Sequence, residues 1–123
     1  MELNEITGKI VDLAMKVHST LGPGLLESTY EACLLYEFKK SGLNAISQVP
    51  LPVFYDGITI ELGYRIDLLV EDEVIVELKS VEKFTPVHQA QLLSYLRLSG
   101  KRLGLLINFN VQHLRDGIKR IIL

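Results

Sequence analysis

The chain has 123 residues, 48% hydrophobic and 23% charged, a balance suited to one globular domain spanning residues 1–123 and too short for a second module. No apolar run approaches the ~20 residues of a membrane helix, and the N-terminal MELNEITGKI carries acidic residues in place of a basic region with an apolar tract, which predicts a soluble protein with no secretory signal and a cytoplasmic location. A net charge of −2 argues against gripping nucleic acid through bulk electrostatics, with small basic clusters only at Lys39-Lys40, Lys101-Arg102 and Lys119-Arg120, where solvated surface is a sufficient explanation.

In chain order, Leu3, Ile6, Ile10, Leu13, Ala14, Val17 and Leu21 recur at helical spacing and predict an amphipathic helix over 3–21, ended by Gly22-Pro23-Gly24. His18 on this helix is expected to be partly exposed and is assigned no chemistry. A second helix is expected over 25–40, burying Leu26, Tyr30, Cys33, Leu34 and Phe38 and stopping at Ser41-Gly42. The single cysteine, Cys33, can form neither an intramolecular disulfide nor a zinc site and reads as a small buried hydrophobe. Glu27 falls in the first turn of the second helix, where the helix dipole stabilises an acid by about 0.3–1 kcal/mol.

Residues 45–62 read as strands. Pro50 and Pro52 confine their segment to a sheet edge, and Asp56-Gly57 is a two-residue hairpin signal. Gly63 marks a bulge or bend. Tyr64–Val70 and Val74–Leu78 are rich in β-branched and aromatic residues and are separated by the acidic triplet Glu71, Asp72, Glu73, which predicts a central hairpin. Alternation places Arg65, Asp67 and Leu69 on one face of the first strand and Ile75, Glu77 and Lys79 on one face of the second, with apolar residues on the other faces.

If the triplet forms the loop, Val70 pairs with Val74 and Asp67 falls opposite Glu77. Opposed residues have Cβ atoms about 4.5–5.5 Å apart, and like charges held there are destabilising unless something sits between them. A divalent cation would relieve the repulsion. Carboxylate oxygens suit a hard ion such as Mg²⁺, which takes one or two carboxylates and keeps several waters. Lys79 points the same way as Glu77 and has the reach to hold a phosphate oxygen or an attacking water. Any one of these residues alone can be an ordinary surface charge. An Asp in an apolar strand followed by Glu and Lys on one face of the next is not explained by solvation alone.

After Ser80, Thr85-Pro86 reads as an N-cap with proline at the first helical position, opening a helix to about Leu98 that Gly100 closes. His88, Gln91 and Tyr95 form one stripe on it, opposed by Leu92, Leu93 and Leu96, with Gln89 at the surface. Residues 102–109 read as a buried strand after a crossover, 111–117 as a short helix or turn, and 118–123 as a final strand.

Three stretches carry a family resemblance. Asp67 followed by Glu77-Leu78-Lys79 resembles the signature of the PD-(D/E)XK nuclease superfamily, with Ile66 standing where the motif's name has proline. GLLESTY at Gly24–Tyr30 resembles the pattern of the GxxExxY family, which belongs to that superfamily and is similar to this chain over nearly its full length. Gln91-Leu92-Leu93-Ser94-Tyr95 resembles the QxxxY motif that follows the Glu-x-Lys strand in nucleases of helicase–nuclease complexes.

The resemblance implies an α/β, restriction-endonuclease-like fold: two N-terminal helices, a mixed sheet flanked by helices, and a central hairpin carrying the site. It implies Mg²⁺- or Mn²⁺-dependent hydrolysis of phosphodiester bonds, with DNA favoured over RNA. Glu27, Asp67, Glu77, Lys79, Gln91 and Tyr95 would form the catalytic set, and Asp67, Glu77, the Leu78 carbonyl and Glu27, directly or through water, would hold the metal. Gln91 would contact metal-bound water, Lys79 or phosphate, while Tyr30 either braces Glu27 or packs, and His88 is a further phosphate contact. Two other readings stay open: a non-cleaving module that keeps the fold and binds nucleic acid or a protein partner, and a structural subunit. A protein partner or homo-oligomer is compatible with the small size and net acidity.

Overall fold

The structure is a computed structural model that describes residues 1–123. Two helices, α1 (Leu3–Leu21) and α2 (Glu27–Lys40), precede an edge strand β1 (Ala45–Pro50), a short hairpin of β2 (Val53–Tyr55) and β3 (Ile58–Ile60), and the central hairpin of β4 (Arg65–Val70) and β5 (Val74–Lys79). Helix α3 (Pro86–Ser99) crosses over to β6 (Leu103–Asn108), and a 3-10 turn at Leu114–Gly117 leads into β7 (Ile118–Ile122). The main sheet is mixed, in the order β1-β4-β5-β6-β7, parallel only between β5 and β6, while β2 and β3 form a separate two-stranded sheet. This is the α/β arrangement expected from the sequence, down to the proline-bearing edge strand and the parallel crossover.

Layering follows from side-chain alternation. Leu68, Val70, Val74, Val76, Leu78, Leu105 and Ile107 point to one side of the sheet, where Ile6, Ile10, Tyr30, Leu34 and Phe38 of α1 and α2 cover them. Leu69, Ile75 and Leu106 point to the other, under Leu92, Tyr95 and Leu96 of α3. Strand β5 is therefore covered on both faces, which is why Val74–Val76 is an unbroken apolar run.

The chain departs from the sequence expectations at four places. Leu26 lies ahead of α2 and is 75% exposed, since the helix begins at Glu27, two residues later than its apolar spacing suggests, and Cys33 is only partly covered. His18 is buried: its Nε2 meets the Val111 carbonyl oxygen at 2.8 Å and its ring packs near Phe109, a partner that lies far away in sequence. His88 closes a capping box, its Nδ1 accepting the Thr85 backbone N–H at 3.1 Å, so that nitrogen is committed to starting α3. Ile66 packs with Leu51 and Leu69 on the α3 side and not with Leu68 and Val70. Alternation along β4 thus slips at Asp67.

Gly104 brings β6 against α3. A Cβ there would meet the Leu92 Cδ1 at 2.8 Å. Leu92→Ala should cost about 2–5 kcal/mol through the cavity it opens. Gly104→Ala should cost about 1–3 kcal/mol by overpacking in the parent, and markedly less when Leu92 is already alanine. Denaturant melts of the two single variants and the double variant measure the coupling, and strict additivity would mean that the two residues do not share this contact.

Candidate functional site

The central hairpin is set by its turn. Glu71 and Asp72 adopt left-handed backbone angles (φ 53° and 55°), and Glu71 is tied to the start of β1 twice: its N–H donates to the Asn44 carbonyl oxygen, and its Oε2 accepts the Asn44 N–H, both at 2.6 Å. Val70 then pairs with Val74, Leu69 with Ile75 and Leu68 with Val76.

The next pair in that register is Asp67 and Glu77, and there the backbone ladder stops. Side chains take its place. The Asp67 N–H donates to Glu77 Oε2 at 2.7 Å, and the Leu78 N–H donates to Asp67 Oδ2 at 2.9 Å. Each carboxylate thus accepts a backbone donor from the opposite strand. On the other side of Asp67 the pairing with β1 also lapses, because Ser47 pairs with Leu68 and Val49 with Ile66 while Gln48 between them is left-handed, with φ 54°.

The remaining residues come from three other elements. Lys79 Nζ donates to Gln91 Oε1 on α3 at 3.3 Å, and Gln91 Nε2 donates to the Tyr95 hydroxyl at 3.4 Å, so the polar stripe of α3 meets the Lys79 end of β5. Glu27, in the first turn of α2, accepts the Ser80 N–H on Oε2 at 3.2 Å, and Ser80 Oγ donates to the Leu25 carbonyl oxygen at 2.8 Å. These bonds fasten the start of α2 to the end of β5. Tyr30 is fully buried and stacks on Phe109 at 4.3 Å; its hydroxyl donates to the Gly22 carbonyl oxygen at 2.6 Å and accepts the Leu25 N–H at 3.2 Å. It braces the loop that delivers Glu27, its hydroxyl bonded to the backbone of that loop.

Two residues of this neighbourhood went unsingled in the sequence. Glu31 lies one helical turn beyond Glu27, on the same face, and its Oε1 accepts from Gln48 Nε2 at 2.8 Å. That four-residue spacing was a usable signal. Gln48 itself gave none, since nothing in a short polar-apolar strand announces a left-handed residue.

Electrostatically the centre is strained. Burial pushes the Glu77 carboxyl up to about 8, with the Asp67 charge adding to it and the Asp67 N–H and Lys79 opposing. Burial also raises Asp67, with Glu27 adding to the effect, while the Leu78 N–H, Lys79 and Gln48 hold it down in part. Glu31 is raised by burial and by the Asp67 and Glu27 charges. Tyr95 is raised by burial and by Glu77 and Asp67, which keeps its hydroxyl protonated and able to donate. No three His, Cys, Asp or Glu side chains converge closely enough to hold an ion by themselves. At the centre, Asp67 and Glu77 are the two carboxylates that meet across the strands.

This asymmetry has a sign. A carboxyl whose folded pKa lies above its unfolded value binds a proton that the unfolded chain has already lost, so stability is full below about 4.5 and falls as pH rises through about 8. In chelator, the protein should lose stability between pH 5 and pH 8, a range that spans most of this shift. Glu77→Gln keeps an oxygen for the Asp67 N–H and should flatten that slope, becoming the more stable protein at pH 8. Denaturant melts across this range decide it; parallel pH profiles would mean that Glu77 is ionised throughout.

No curated protein and no solved structure matches the chain significantly. A family model, described as the PD-(D/E)XK nuclease superfamily, matches residues 4–121, almost the whole chain and all the elements that build the site. With that extent of match and a mixed α/β sheet whose central hairpin presents Asp67, Glu77 and Lys79 together, the chain belongs to the PD-(D/E)XK nuclease superfamily.

Proposed function

We propose that the protein is a Mg²⁺- or Mn²⁺-dependent nuclease of the GxxExxY type that hydrolyses phosphodiester bonds, in DNA ahead of RNA. One observation carries the reading: two carboxylates from adjacent strands, Glu77 buried and Asp67 half-buried, replace the backbone ladder, with Lys79 beside them.

Asp67 and Glu77 suit a hard divalent cation. Each has one oxygen engaged by a cross-strand N–H, and burial with mutual repulsion opposes their ionisation, a cost that a cation between them would offset. Two carboxylates without a third match an ion that completes its shell with water and substrate phosphate. The Leu78 carbonyl and, through water, Glu27 are the further oxygens we assign to it. When bound, the ion supplies a water of lowered pKa and positive charge for the phosphate.

Lys79 orients the attacking water or stabilises charge on the phosphate. It is half-buried and donates one hydrogen bond to Gln91, leaving two of its three donors for substrate. Gln91 aims that ammonium, and Tyr95 in turn holds Gln91 and keeps a protonated hydroxyl at the edge of the site. The membership of the superfamily supports a nucleic-acid substrate.

The test is cleavage of single- and double-stranded DNA and RNA by the purified protein with Mg²⁺, Mn²⁺ or chelator. Lys79→Ala should lose hydrolysis by about 10²-fold or more, the scale of removing one preorganised donor, while calorimetry finds Mn²⁺ binding retained. Equal loss of both would make Lys79 part of the site's architecture. Binding of nucleic acid by the parent with no metal-dependent cleavage would establish the non-cleaving alternative.

A further inference from the structure

Beside the Lys79 end of the site lies a concave space of about 440 Å³, at the small end of the ~300–1,000 Å³ typical of ligand sites. Gln91 and Tyr95 form one wall, so this space is continuous with the stripe that meets Lys79. The other walls include Tyr64, Val53, Val87 and Leu98, and no charged side chain lines it. Tyr64 meets Tyr95 edge-on, ring centres 6.2 Å apart, yet stays 45% exposed, and Val87 at the mouth is 72% exposed.

The apolar surface continues outward. Val53 pairs with Ile60 and Tyr55 with Ile58 across the β2–β3 hairpin, so these four residues share one face, and its outer members Tyr55 and Ile58 are 69% and 58% exposed. Tyr64 is also held in place: Gly63 (φ 81°) turns the chain ahead of it, and its carbonyl oxygen accepts the Leu51 N–H at 2.8 Å.

We propose that this space takes one unpaired nucleobase adjoining the scissile phosphate, stacked on Tyr64, so that the substrate is single-stranded or frayed nucleic acid. The inference rests on the nuclease reading, because it is the adjoining phosphodiester site that places a base here. The chemistry selects the occupant. A neutral, aromatic-walled space next to a phosphate site matches a part of the substrate that is planar and uncharged. Duplex nucleic acid hides that part in its stack. Gln91 and Ser94 offer polar edges without enforcing one base. Stacking also supplies affinity that a chain of net charge −2 does not obtain from phosphate contacts, and it tolerates any sequence because every base has a π-face.

The experiment measures binding of the full chain, with Ca²⁺ in place of the proposed metal, to a labelled oligothymidylate, to an abasic backbone of equal length and charge, and to a blunt duplex. The parent should bind oligothymidylate most tightly. Tyr64→Ala should weaken that binding roughly 10-fold and leave the abasic probe unchanged, while Tyr64→Phe, which keeps the ring, should bind like the parent. If Tyr64→Ala weakens both probes equally, or neither, no base occupies the space. An apolar side chain of a protein partner would likewise show no discrimination between the probes and overturns the proposal. The nuclease reading is scored separately, by a Mn²⁺-dependent rise in Tm of the parent and of Tyr64→Ala. Its absence from both sinks that reading, whereas its presence with indiscriminate binding sinks only the base pocket.

Discussion

The crossed exchange between β4 and β5 is the constraint on which the molecule turns. Asp67 and Glu77 stand where two strands would continue their ladder, and each carboxylate accepts a backbone N–H from the strand opposite. The bonds that hold the hairpin together at this level are therefore the same bonds that aim the acidic groups. Register makes this possible. Slipping by one residue would turn Asp67 to the other face and place Val76 or Leu78 against it, so the turn at Glu71–Glu73 and its double tie to Asn44 are part of the site although they lie at the far end of the hairpin.

Around that exchange the fold acts as a frame with three attachments. Ser80 joins the end of β5 to the start of α2 through Glu27 and Leu25. Lys79 joins β5 to α3 through Gln91. Asn108, buried at the end of β6, accepts the Val81 N–H and donates to the Val81 carbonyl oxygen, fixing the chain as it leaves β5. Each attachment pairs a polar side chain with backbone or another side chain, so no buried side-chain polar atom lacks a partner. A short chain thus holds two repelling carboxylates in place by surrounding them with satisfied neighbours.

Much of this is legible in the residues because it is local. The Asp56-Gly57 turn, the Thr85-Pro86 helix start, the apolar faces of the first two helices and the acidic turn of the central hairpin are each encoded within a few neighbours, and the cross-strand opposition of Asp67 and Glu77 follows from counting back from that turn. What is not legible depends on partners distant in the chain. His18 is buried by Val111 and Phe109, more than ninety positions away. His88 spends one of its two ring nitrogens, Nδ1, on a cap whose geometry exists only once α3 has formed. The left-handed Gln48 is explained only by Glu31 and Asp67 beside it, and the slip of Ile66 to the α3 side has no counterpart in a strand that alternates by rule.

Gln48 shows what such a constraint does to a single position. A left-handed backbone costs a residue with a side chain free energy that glycine does not spend, and here it falls inside a strand, opposite Asp67, where the pairing has lapsed. Yet only a side chain can reach Glu31 and lower the Asp67 carboxyl. Backbone and side chain at this one residue therefore favour different amino acids: the bend asks for glycine, and the acidic group asks for an amide. Selection for thermal stability alone would drift toward the first and loosen the acids.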